Sequence, residues 1–171
     1  MTDLADRAGE GSLGRLEIGK DRMESWIAIH DLVHTYPHAL DRHDAETFAS
    51  LWHPDGVWDF GADYGTYRGV DAMVAFVSRS WGIQDGHHLV TNAVIRFRDD
   101  GTAYGCSSAY AQVSQHDGPT LFPMVVSYDD EYCVHDGRWV FRERRVATDH
   151  RGLSADELDR HRRHRSEAGP R

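Results

Sequence analysis

The sequence predicts an α+β domain in which a curved, antiparallel or mixed β-sheet packs on three N-terminal helices. Apolar residues recur at helical spacing only in the first half of the chain. From His88 onward the chain is instead a succession of long runs rich in β-branched and aromatic residues. Asp-Gly turns separate those runs and favour hairpins, so the second half reads as a four-stranded antiparallel meander.

The first twenty residues mix Gly9, Gly11, Gly14 and Gly19 with charged side chains and show no sustained period, so 1–20 reads as a flexible leader. From Asp21, a plausible N-cap, Trp26, Ile29, Val33, Tyr36 and Leu40 mark the buried stripe of a long helix. Pro37 removes one backbone donor and predicts a kink or break between Thr35 and His38. Asp44 suits the cap of a second, short helix from Ala45 to Trp52. His53-Pro54-Asp55-Gly56 has the composition of a turn, followed by short strands at Val57 to Phe60 and Tyr64 to Arg68. Val70, Met73, Val74 and Val77 then define a third helix ending near Gly82. The four long strands are expected at His88 to Arg98, Thr102 to Gln115, Leu121 to His135 and Arg138 to Thr148. The domain is thus read as 21–150, and 151–171 as a charged helical extension.

Composition narrows the function classes. A chain of 171 residues is long enough for one domain with a real core. Its net charge of −9, without a basic block before the C-terminus, argues against nucleic acid and anionic membrane as partners and for a small molecule. Cys106 and Cys133 have neither disulfide-framework nor zinc-site spacing, which suits a reducing cytoplasm. No apolar run approaches the roughly 18 residues of a membrane span, and a secretory pattern is not seen.

The candidate chemistry centres on His87-His88, placed where a β-forming run begins. Strand alternation from His88 sets His88, Val90, Asn92 and Val94 on one face. An imidazole on a semi-apolar inner face is suited to carrying a proton near neutral pH. Asp41 follows the last turn of the first helix at the edge of its apolar stripe, where a carboxylate can point inward. His30, His34 and His38 form an i, i+4, i+8 ladder, but no ExxH unit accompanies it and a solvated helix face is expected rather than a metal site.

Several local sequences carry a resemblance: Tyr36-Pro37-His38-Ala39-Leu40-Asp41, Phe48-Ala49-Ser50-Leu51-Trp52-His53-Pro54-Asp55-Gly56-Val57-Trp58, Gly65-Thr66-Tyr67-Arg68-Gly69, His87-His88-Leu89-Val90-Thr91-Asn92 and Asp136-Gly137-Arg138-Trp139. Together they resemble the SnoaL-like group of the nuclear transport factor 2-like superfamily, and within it the branch of dehydratases and dehydrochlorinases. The resemblance implies a cone-shaped sheet around a pocket and a His-Asp dyad, falling here on His88 and Asp41. It implies that Tyr36 and a basic residue of the last strand, Arg144 or otherwise Arg145, donate to developing negative charge. Trp58, Tyr110 and Asn92 are the expected substrate contacts, with Trp52 and Phe76 as further aromatic walls. The implied activity is a cofactor-free, metal-free lyase or isomerase acting on a small, mostly apolar cyclic compound. Small subunits of ring-hydroxylating dioxygenases and ligand-binding modules share this fold, so both remain alternatives.

Assembly is also expected. Both faces of the meander carry large side chains, and three helices cover one face only, so a homodimer or homotrimer should hide the other. The Leu121 to Tyr128 strand is expected near that interface, with Val126 as the residue where a charge would split it.

Overall fold

The computed structural model describes residues 19–62, 64–117 and 121–149. Helix α1 (Lys20–Asp41) is followed by α2 (Ala45–Ser50), strands β1 (Trp52–Asp59) and β2 (Thr66–Arg68), and helix α3 (Val70–Trp81). Four long strands complete the fold: β3 (Gln84–Phe97), β4 (Ala103–Gln115), β5 (Leu121–His135) and β6 (Arg138–Asp149). They join one six-stranded sheet in the order β2-β1-β6-β5-β4-β3, so the expected α+β class and meander are both present. The sheet is mixed, because β1 runs parallel to β6 while every other pair is antiparallel. The leader is outside the described residues except for Gly19 and Lys20, which cap and open α1, and the 151–171 extension is outside them entirely.

Helix α1 turns Ile29, Leu32, Val33, Tyr36 and Ala39 onto the sheet, all buried at i, i+3, i+4, i+7 and i+10. Two expectations about this helix are corrected. It starts at Lys20 with Gly19 as N-cap, so Asp21 lies inside the first turn. It also continues through Pro37 without the break that the missing donor allows. Asp41 is therefore the last residue of α1. Arg42, His43 with φ of 56°, and Asp44 make a three-residue turn into α2. Asp44 caps α2 as expected, its Oδ1 accepting from the Thr47 amide at 2.9 Å.

The strands depart from simple alternation at three register shifts, in the β1–β6, β5–β6 and β3–β4 pairings. His53-Pro54-Asp55-Gly56 is not a separate turn but the bulged middle of β1: Trp52 pairs with Phe141 and Val57 with Glu143, so four β1 residues face one β6 residue. That residue, Arg142, reaches across to donate to the Asp55 carbonyl at 2.7 Å. The extra residue flips the faces of β6, so Phe141 and Arg144 both point inward although sequence alternation separates them. In β3 the register shifts between Thr91 and Val94. His88 and Val90 face the helices before that slip, and Ala93 and Ile95 after it.

An aromatic cluster fixes α1 and α2 on the sheet. Tyr36 meets Phe48, Trp52, Trp58, Tyr128 and Phe141 at ring-centroid distances of 5.8 to 6.3 Å. Beneath it, Arg144 and Asp130 form an ion pair with both side chains wholly buried, Nε to Oδ1 being 2.7 Å and Nη2 to Oδ2 2.8 Å. The guanidinium also lies 4.2 Å from the Tyr36 ring centre and 4.1 Å from that of Tyr128. None of the described helices is long and apolar enough to cross a membrane.

Candidate active site

The end of α1 and the first third of β3 meet at one point. Both oxygens of Asp41 are spent on His88: Oδ2 accepts from its backbone amide at 2.9 Å and Oδ1 lies 2.6 Å from its Nδ1. A carboxylate oxygen accepts, so the shorter contact is one in which Nδ1–H donates, and the neutral tautomer with that proton carries its lone pair on Nε2. The two side chains are 14% and 18% exposed, enough to reach solvent yet too little to be surface groups. His87 stands outside, its side chain 73% exposed and its Nδ1 3.5 Å from Asp41 Oδ2.

His88 lines a cavity of about 80 Å³ between the helices and the sheet. Tyr36 and Leu40 come from α1, Phe76, Val77 and Trp81 from α3, and Ala111, Met124, Val126 and Val146 from the strands. This wall is mainly hydrocarbon. Polar groups enter only at a few places: His88, the Gln84–Ser80 pair joined at 2.9 Å, Thr148, and the tyrosines Tyr36 and Tyr128. Burial pushes the Tyr36 phenol well above its ordinary pKa, reinforced by Tyr128 and only partly opposed by Arg144, so it stays a neutral hydroxyl. Burial alone would weaken the charge on Arg144, but Asp130 more than offsets it and holds the guanidinium above its usual range.

Of the residues expected at the site, Tyr36, Trp58 and His88 line the cavity, with Asp41 directly behind the histidine. Between the two basic candidates of the last strand, Arg144 is the inward one; Arg145 is half exposed and pairs with Glu143. Arg144 nevertheless does not line the cavity, because the rings of Tyr36 and Tyr128 cover it. Tyr110 and Asn92 require correction. Tyr110 sits on the opposite face of the sheet, 41% exposed, paired with Leu89 on one side and Val125 on the other. Asn92 is the left-handed residue of the β3 bulge, φ 56°, and the slip turns it to solvent. Phe76 joins the cavity wall while Trp52 stays within the aromatic cluster. Sequence reasoning missed Tyr128, Gln84, Ser80 and Trp81; the alternation of Met124, Val126 and Tyr128 along β5 was the signal for the first. His30 is also not a solvated ladder member: its ring packs 3.9 Å from Trp26 and its Nε2 is buried without a partner. Among the described residues no three His, Cys, Asp or Glu side chains converge as a metal-binding group.

The family model for the SnoaL-like domain matches residues 21–145, nearly everything described above. The chain belongs to the SnoaL-like domain family. It is 26% identical over 132 residues to gamma-hexachlorocyclohexane dehydrochlorinase of Sphingobium indicum, covering 76% of this chain and 84% of that protein. Among solved structures, the type 2 hexachlorocyclohexane dehydrochlorinase LinA superposes with a TM-score of 0.72 at 23% identity, over 79% of this chain and 93% of that one. A proposed scytalone dehydratase of Novosphingobium aromaticivorans follows with a TM-score of 0.69 at 22% identity, over 75% and 86%. This SnoaL-like domain therefore has the nuclear transport factor 2-like fold that the local sequences implied.

Proposed function

We propose that this protein is a cofactor-independent lyase or isomerase that removes a proton from carbon in a small, mostly apolar cyclic substrate of polyketide, steroid or aromatic origin. The observation that carries this reading is the Asp41–His88 pair opening onto a mainly apolar cavity. His88 Nε2 accepts the proton; Asp41 holds the ring and stabilises the imidazolium that forms. Tyr36 and Tyr128 are the hydroxyls able to donate to an oxygen or halide as it gains charge, and the Arg144 cation beneath them favours that direction. Low-identity relatives that eliminate chloride, and one proposed to eliminate water, support the reaction class.

The test is proton abstraction itself, which does not depend on guessing the leaving group. Cyclic ketones, halogenated cyclohexanes and hydroxylated single-ring compounds are incubated in deuterated water and followed by NMR for exchange or elimination. The native protein should exchange or eliminate with at least one class, and His88→Ala should lose about 10²-fold to 10⁴-fold in rate. Equal rates for native protein and variant, or silence across the panel, would count against the reading.

A further inference from the structure

Gly86 stands two residues before His88 in β3, so alternation puts it on the same inner face, directly beside the imidazole. A glycine inside a strand weakens it, and one reason to keep it is a close approach. Gly86 is not in the left-handed region, so backbone freedom does not explain it. What fills the space of its missing side chain does. A Cβ built there would lie 2.8 Å from His88 Cε1, 3.4 Å from Nδ1 and 3.7 Å from Nε2. Carbon atoms in contact prefer about 3.5–4.0 Å, so a methyl group would force the ring away by about 0.7–1.2 Å. The ring has nowhere to go without loss, because Asp41 grips Nδ1 at 2.6 Å and the backbone amide of the same residue at 2.9 Å. The cross-strand partner of His88 is Ala111, another small residue and fully buried. Gly105, the other glycine within a long strand, differs: a Cβ there would meet the backbone oxygen of Val94 at 2.5 Å, a conflict with no side-chain chemistry in it.

We propose that Gly86 is a positioning residue for the base, its missing side chain being the berth that lets the His88 imidazole lie flat on β3 with Nδ1 on Asp41. The inference rests on His88 acting as the base, but the berth itself is testable without turnover.

The experiment is a double-mutant cycle of Gly86→Ala and His88→Ala, read by urea unfolding, with nitrogen-15 NMR of the His88 ring and steady-state kinetics on Gly86→Ala. If the methyl collides with the imidazole, Gly86→Ala destabilises the native background and costs nothing, or stabilises, once His88 is alanine. The ring nitrogen signals of Gly86→Ala should lose the Nδ1–H pattern of the native protein. Its kcat should fall about tenfold to a hundredfold with KM little changed, as for a reacting group displaced by up to 1 Å. A Gly86→Ala chain that fails to fold but is recovered in the double variant supports the berth equally. Equal stability cost in both backgrounds, failure of both to fold, or unchanged ring signals in Gly86→Ala overturns it. Coupled stabilities and shifted ring signals together with an inert native protein would sustain the berth and sink the lyase reading instead.

Discussion

The buried phenols give the sharpest test at the level of single residues. Burial, and then the nearby Asp130 carboxylate, push Tyr132 far above its ordinary pKa, and burial raises Tyr36 in the same direction. Both residues are at most 2% exposed. The unfolded chain releases these protons near pH 10 while the folded chain keeps them, so the folded state binds more protons above that pH and stability falls as pH rises. Below pH 10 the two states bind the same number and no cost arises. Unfolding free energies measured by urea titration between pH 9 and 11 should therefore drop at the alkaline end, by about 1.4 kcal/mol per pH unit for each phenol that stays protonated. Tyr132→Phe, compared with the native chain over the same range, should flatten the slope by one proton. A slope identical in the two proteins would mean that Tyr132 ionises in the folded state.

Between elements, the decisive contact is the Asp130–Arg144 pair linking β5 to β6, with the Tyr132 hydroxyl donating to Asp130 Oδ2 at 2.8 Å. Removing one member leaves the other charge buried and unpaired, which costs about 3–5 kcal/mol. Arg144→Met should thus unfold at markedly lower urea, and Arg144→Met with Asp130→Leu should regain most of the loss; a single variant as stable as the native chain would contradict the burial seen here. The same strands show what the sequence could and could not disclose. Element types were readable because the periods are unmixed: Ile29, Val33 and Tyr36 step by three and four, while Met124, Val126 and Tyr128 step by two. The Asp41–His88 contact was readable because Asp41 lies at a helix end and His88 in a strand, the two positions the family resemblance pairs. Asn92 was misplaced because alternation assumes an unbroken ladder, whereas Tyr110 lies where the alternation of β4 holds and turns it to the face away from the helices. One left-handed residue at position 92 and one extra residue at 142 reverse the faces beyond them, and neither bulge has a composition that announces it. Arg144 escaped the same error only through the resemblance, since alternation alone put it opposite Phe141.

For the whole molecule, the remaining question is the face of the sheet turned away from the helices. Leu89, Tyr110 and Val125 pair across three adjacent strands and are 53%, 41% and 51% exposed, forming an apolar row on that face. We propose that this row is covered by a second or third copy of the chain. Sedimentation should return a multiple of 19.4 kDa, and Val125→Asp should lower it to the single-chain mass. Val126, the position suggested by the sequence for that charge, instead belongs to the cavity wall, so a charge there tests the site rather than the assembly. A native protein that sediments as one chain would refute the proposal.

Because Asp41 holds the main-chain amide of His88 as well as its ring, the Asp41–His88 pair cannot be shifted along β3 without breaking the helix-to-strand junction. On the proposed function, adaptation to a new substrate proceeds where Phe76, Val77, Met124 and Val126 line the cavity with shape and no proton chemistry. The cavity is in this sense divided into a fixed engine and an exchangeable mould. Laboratory evolution toward a bulkier ring should accumulate its substitutions among those four side chains and leave positions 41, 86 and 88 untouched.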